Sequence, residues 1–203
     1  MSMLFVGLLL FLSAHSVRIV AEGWRSHIIG RIGPGAWRGL VSAVSLVGLV
    51  LIVMGYAAAR QSPTELWPVW RGARHLAALL SLIAFVLLAA SFVPGNAIKR
   101  RLRHPMVLGV KVWALAHLLA NGTLADAVLF GAFLIWAVFD FRSARRRDAG
   151  ASASAVAPSI GAQGGAHPAS RWADLLVLCA GCLAWGVFAF ALHARLIGVS
   201  PLG

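Results

Sequence analysis

Acidic side chains are scarce in this 203-residue chain: Asp and Glu together number 6, against 18 Lys and Arg, and charged residues amount to 12%. Soluble domains carry about a quarter charged residues and are roughly half apolar, whereas 60% of this chain is hydrophobic. A water-soluble fold of this length has no means of hiding so much apolar surface. The shortage of charge therefore excludes a soluble globular domain and leaves a membrane protein. Cysteine is scarce too: Cys179 and Cys182 are the whole complement. Their C-x-x-C spacing suggests redox or metal chemistry in a soluble protein. Here no Asp, Glu, Lys or Arg occurs from 175 to 194. Nothing in that stretch stabilises a thiolate, so the pair is chemically quiet and reads as small-residue packing beside Ala180, Gly181 and Gly186.

The net charge of +12 invites a nucleic-acid reading, but the basic residues lie between apolar runs and no basic soluble domain is present, so nucleic acid is not an expected partner. In a membrane protein such residues set orientation and meet anionic headgroups. The lipid bilayer is the expected partner.

An all-α bundle of about six transmembrane helices follows from the apolar runs. The first occupies 1–21; residues 1–17 are free of charge but lack the basic start and the A-x-A site of a signal peptide. The second, 39–59, is long enough to cross ~30 Å of hydrocarbon. The third, 73–93, stops at Pro94-Gly95; the fourth opens at Pro105, a favoured first-turn residue, and ends at Asn121-Gly122. The fifth covers 124–141 and the sixth 172–195. Between the last two lies an Ala/Gly/Ser/Pro stretch, 149–170, without Lys, Arg, Asp or Glu, which reads as a flexible linker. The chain thus divides into helices one to five (1–148), the linker (149–170), and the sixth helix with its tail (171–203). Arg25, Arg31 and Arg38 fall in the first loop, Lys99 to Arg103 in the third, and Arg142 to Arg147 in the fifth. The positive-inside rule then places both termini outside, despite Arg60, Arg71 and Arg74 in the second loop.

Ionisable residues within spans are costly and face the bundle interior. His15, Arg18 and Glu22 share a face of helix one, with Arg18 and Glu22 expected as an interfacial pair and His15 deeper. In helix four, Gly109, Trp113, His117 and Asn121 recur every fourth residue and share a face, while His104 and Lys111 share another. Lys111 is placed to snorkel toward headgroups. A small residue, an aromatic wall, an imidazole and an amide suit a planar cofactor. They suit a helix–helix contact with a hydrogen-bonded histidine equally well.

Two buried imidazoles from different helices are a haem-ligand pattern. At about 1.5 Å per residue, His15 lies ~21 Å from the outer surface and His117 ~18 Å from the inner one. Across a ~30 Å core their Cα atoms differ in height by roughly 9 Å, whereas two axial nitrogens stand about 4 Å apart. That geometry permits the pair without demanding it. His75 and His193, at the outer ends of helices three and six, are weaker alternatives to His15. His27 and His167 fall in loops.

His15-Ser16-Val17-Arg18, Arg103-His104-Pro105-Met106, the run Trp113-Ala114-Leu115-Ala116-His117-Leu118-Leu119-Ala120-Asn121-Gly122, and His193 followed by Gly198-Val199-Ser200-Pro201 together resemble the NnrU family, over nearly the whole chain outside the linker. The resemblance implies a bacterial inner-membrane protein associated with denitrification and nitric oxide metabolism. The same domain forms the plant zeta-carotene isomerase, a haem-b enzyme that converts a cis double bond of a polyene to trans. That relation implies haem b as cofactor, axial ligands at His15 and His117, Trp113 lining the cavity, Asn121 orienting His117 or a water, and a hydrophobic small-molecule substrate. The plant enzyme's ligand-exchange cysteine falls here at Ala114, which puts ligand switching in question. The alternative within the family is a non-catalytic accessory protein of nitrogen-oxide respiratory enzymes. A further reading starts from Arg103-His104-Pro105 and Gly109, similar to the R-H-P-x-x-x-G segment of isoprenylcysteine-type membrane methyltransferases. Those enzymes carry a later acidic, tyrosine-containing motif, whereas Tyr56 is the only tyrosine here.

Overall fold

The computed structural model describes residues 1–154 and 170–201. Those residues are almost entirely helical, in the order α1 (Ser2–Val20), α2 (Glu22–Ala59), α3 (Ala73–Phe92), α4 (Ala97–Leu102), α5 (Pro105–Ala120), α6 (Leu124–Ser154) and α7 (Arg171–Val187). A five-residue π-helical turn, Phe188–Leu192, joins α7 to a last short helix, α8 (His193–Ile197). Among the described residues, α1, α2, α3, α6 and the run from α7 through α8 are long and apolar enough to cross a membrane, and α5 is a shorter apolar helix. At about 1.5 Å per residue the 16 residues of α5 reach only ~24 Å, less than the ~30 Å hydrocarbon core. The all-α membrane bundle expected from composition is therefore present, with five helices of spanning length and one shorter apolar helix among the described residues.

Two compact units share the chain. The first contains Met1–Pro68 and Asn121–Asp140; the second contains Val69–Ala120 and Phe141–Gly203.

In the first unit α1 and α2 pack as an antiparallel pair through glycine. A Cβ on Gly7 would stand 2.6 Å from the Ile52 amide nitrogen, and one on Gly55 would stand 2.3 Å from that of Leu4. Gly48 meets Phe11 in the same way, at 2.8 Å. Without a hydrophobic drive between helices in lipid, such close backbone approach supplies the packing. The charged stretch expected as the first loop is instead helical: Arg25, Arg31 and Arg38 all lie on α2. Its 38 residues do not form one straight rod, because Gly33 takes φ 83° and Pro34 follows it. Glycine tolerates that left-handed angle, and proline has no N–H to continue the ladder.

In the second unit α3 packs against α5 and α7. Gly109 of α5 would bring a Cβ within 3.1 Å of the Ala84 carbonyl, and Gly181 of α7 within 2.7 Å of the Val86 Cα. Cys179 and Cys182 are exposed free thiols, so of that small-residue stretch Gly181 makes the close contact and the cysteines flank it. A Cβ on Gly186 would meet nothing within 4 Å.

The breakers read from sequence end α3 and start α5. Beyond Val93, buried Asn96 ties α3 to α4, donating to the Ala90 carbonyl at 2.9 Å and accepting from the Lys99 amide at 2.7 Å. Asp174 of α7 accepts from the Ala97 amide at 2.6 Å. At the other end of the expected linker, α6 does not stop near Phe141 but runs through Ser154. Its extension contains strong helix formers, Ala144, Arg145, Arg146 and Arg147 among them, and Arg147 donates to Ser143 Oγ one turn back at 2.6 Å. Residues 155–169, and with them most of the expected linker and His167, lie outside the described residues.

Candidate functional site

Each of the two histidines singled out from sequence sits in its own aromatic setting, but His15 is exposed on α1, not buried as expected, and His117 is half-buried on α5. In the first unit, His15 stacks on Phe11, with ring centroids 4.3 Å apart and planes 23° from parallel. The edge of Trp136 on α6 approaches the same imidazole at 6.0 Å, and Phe11 meets Phe133 at 5.6 Å. His15 Nδ1 lies 2.7 Å from the Phe11 carbonyl. A carbonyl only accepts, so Nδ1 carries a proton, and in the neutral ring the lone pair is on Nε2. In the second unit, His117 repeats the arrangement: Nδ1 lies 2.9 Å from the Trp113 carbonyl, and the Trp113 ring is 5.2 Å from the imidazole, tilted by 49°. The spacing of four that placed Trp113 and His117 on one face produces both contacts.

Histidines that bind metals commonly have this local geometry. A backbone carbonyl on one ring nitrogen fixes the tautomer, orients the ring and raises the basicity of the other nitrogen. Beside His15, the indole N–H of Trp136 is buried and has no hydrogen-bond partner among the described residues. An unsatisfied buried donor costs about 1–3 kcal/mol, and an acceptor group on a bound molecule would remove that cost. Haem, with imidazole-ligated iron and carboxylate side arms, is compatible with both features.

Several of the remaining polar residues of the sequence reading have structural partners. Arg18 and Glu22 form the expected pair at 3.9 Å, and Glu22 also holds Arg25 at 2.9 Å. In the second unit, His104 and Lys111 do share a face and both meet Phe141. The His104 ring is edge-on to it at 6.3 Å, and Lys111 Nζ stands 4.3 Å above its centre. His104 Nε2 lies 3.0 Å from Asp148, which also receives Arg103 at 3.5 Å. A cation over an aromatic face gains a cation–π attraction, which Lys111 has in addition to any headgroup contact. Gly109 serves the α3 contact, not a ligand. His193 Nδ1 lies 2.7 Å from the Val199 carbonyl. His75 is exposed near the start of α3 and His27 is exposed on α2.

Sequence reasoning missed one buried polar cluster. Asp126, 4% exposed, accepts from Tyr56 Oη at 2.5 Å and from Thr123 Oγ1 at 2.5 Å, and the Thr123 amide donates to it at 3.1 Å. The Asp126 amide in turn donates to Thr123 Oγ1 at 3.3 Å, which completes a reciprocal cap on α6. The 61–68 segment docks on the same turn, where Leu66 N donates to the Gly122 carbonyl and Leu124 N to that of Thr64, both at 2.8 Å. The Thr-x-x-Asp pattern was a visible signal for the cap; the Tyr56 contact, 70 residues away, left none. Asp126→Ala strips three donors of their acceptor and is expected to cost about 1–3 kcal/mol. Tyr56→Phe should cost less, about 0.6–1.7 kcal/mol. Thermal unfolding in detergent measures both, and equal midpoints for wild type and Asp126→Ala would refute the assignment.

A polytopic helical membrane protein with two carbonyl-anchored imidazoles in its apolar helices is the class these observations define. The family model described as NnrU protein matches residues 3–201, and the chain belongs to the NnrU family. No curated protein and no solved structure matches it.

Proposed function

We propose that this NnrU-family protein binds haem b within the bilayer, and that His15 and His117 are the side chains that would hold it. The observation that carries the reading is the shared anchoring: each imidazole gives Nδ1–H to the carbonyl four residues earlier, which would make Nε2 the nitrogen offered to a metal. Trp113 would line the pocket on the His117 side, and Trp136 would donate to an oxygen of the bound group. Asn121, one turn beyond His117, would orient that imidazole or a water. When bound, haem iron supplies a centre able to polarise or exchange electrons with a hydrophobic substrate. The protein's part is to hold the iron at a fixed depth and keep water away.

Family resemblance supports two settings for that chemistry: cis–trans isomerisation of a polyene, as in the plant zeta-carotene isomerase, and a redox role in nitric oxide metabolism beside denitrification enzymes. Ala114 stands where the plant enzyme places its exchange cysteine. A methyl group neither ligates nor titrates, so a thiolate exchange at that position is unavailable to this chain. The clustered Arg residues support an orientation with both termini periplasmic, and the family resemblance supports a bacterial inner membrane. The methyltransferase reading loses support, because Arg103 and His104 meet Asp148 and Gly109 packs on Ala84.

The test is an absorption spectrum of protein purified in detergent from cells supplied with haem, before and after dithionite. The proposal expects a Soret band that shifts on reduction. A colourless protein would overturn it and favour the accessory role.

A further inference from the structure

The stretch 22–32, between the start of α2 and its break at Gly33, is a separate helical segment. The register of the α1–α2 pair sets Leu4 against Gly55 and Phe11 against Gly48. Continued along both helices, it brings Val20 beside Gly39, so residues 21–38 form the crossing at one end of the pair. Both ends of this segment are broken: Ala21 takes φ −141°, ψ 46° and Gly33 takes φ 83°, ψ 158°. Trp24 and Trp37 show how sharply the second break turns. In a straight helix they would lie ~20 Å apart along the axis, yet their ring centroids are 5.9 Å apart. The segment therefore folds over the end of the pair instead of extending α2 into solvent.

Its side chains are sorted. Trp24, Ile28 and Ile32 recur every fourth residue and form one apolar stripe. Trp24 and Ile32 are 55% and 46% exposed. Helical spacing puts Arg25 on one flank of the stripe and Arg31 on the other, with Ser26 and Gly30 opposite; Glu22 reaches Arg25 at 2.9 Å, so a headgroup phosphate would share Arg25 with that carboxylate. Arg18 and Arg38, from the adjoining turns, are exposed at the same end. Glu22 is the only acid among residues 1–60. An exposed Trp/Ile stripe bordered by arginines matches the headgroup–acyl boundary, where the rings enter the apolar side and the guanidinium groups meet phosphate.

We propose that residues 22–32 form an interfacial helix that seats anionic phospholipid headgroups between Arg25 and Arg31, with Trp24 and Ile32 buried among the acyl chains. The site is independent of haem and stands if the haem reading fails. Native mass spectrometry of the full chain with phosphatidylglycerol and phosphatidylcholine tests it. The wild type should retain phosphatidylglycerol preferentially. Arg25→Gln with Arg31→Gln should lower that preference roughly thirtyfold, about fivefold for each charge, whereas Arg25→Lys with Arg31→Lys should keep most of it. A glutamine variant that keeps the wild-type preference would overturn the proposal. A spin label at position 24, on a Cys179→Ser, Cys182→Ser background in nanodiscs, gives a second reading that does not depend on the arginine variants. It should be accessible to oxygen and shielded from a polar nickel relaxant, and the reverse pattern would equally refute the site.

Discussion

His117→Ala is expected to lower haem retention by at least about 100-fold, since disturbing even the outer partners of a ligand typically costs 10–100-fold. His15→Ala should do the same. Added imidazole should restore the Soret band in the corresponding glycine variants, because a free ligand can enter the space of the lost ring. His75→Ala and His193→Ala should leave the spectrum of the wild type unchanged. Loss of Trp113 should be milder, as it removes a wall and not a ligand, and the Trp113 carbonyl survives the substitution. A His117→Ala protein that kept its full band would reassign the ligand. The measurement is haem occupancy per chain after gel filtration, which separates bound cofactor from cofactor dissolved in the micelle.

The second large effect concerns packing. Gly55→Ala places a methyl group 2.3 Å from the Leu4 amide nitrogen, and Gly7→Ala places one 2.6 Å from that of Ile52. Backbone cannot swing aside as a side chain can, so the two helices must separate. Overpacking of this kind costs about 1–3 kcal/mol and occasionally more. Gly131→Ala is the contrasting case. Nothing lies within 4 Å of its Cβ, and alanine in a helix interior is favoured over glycine by about 0.8–1.0 kcal/mol. The opposite signs matter: a drop in thermal midpoint for Gly55→Ala with a rise for Gly131→Ala isolates the close approach from helix propensity. Equal shifts would mean that the α1–α2 contact contributes little.

Local features of the sequence were legible and remote ones were not. Pro105, Pro94-Gly95 and Asn121-Gly122 marked helix limits because breakers act on their own backbone. Trp113 and His117 were paired by a spacing of four, which any helix realises. The stretch holding Arg25, Arg31 and Arg38 read as a loop because charge was taken to mean solvent. It is helical despite Gly23, Gly30 and Gly35, which favour helix poorly, and only Gly33-Pro34 marks the break. The same error shortened α6, whose Arg-rich extension is a good helix in water or at headgroups. The Asp126 cluster lay hidden for another reason. Tyr56 reaches it across the α2–α6 contact, and a tertiary contact between single residues leaves no period in the chain. Lys111 shows the reverse: its face was read correctly, but its partner Phe141 sits on a different helix.

These strands meet in one claim, that two histidines with fixed tautomers coordinate iron through Nε2. Electron paramagnetic resonance of the oxidised, haem-supplied protein at low temperature addresses it directly. Two imidazoles on one iron give a six-coordinate low-spin ferric signal, converted toward high spin in His15→Ala and His117→Ala alike. A wild-type protein with a high-spin signal, or with no haem signal at all, would contradict the account.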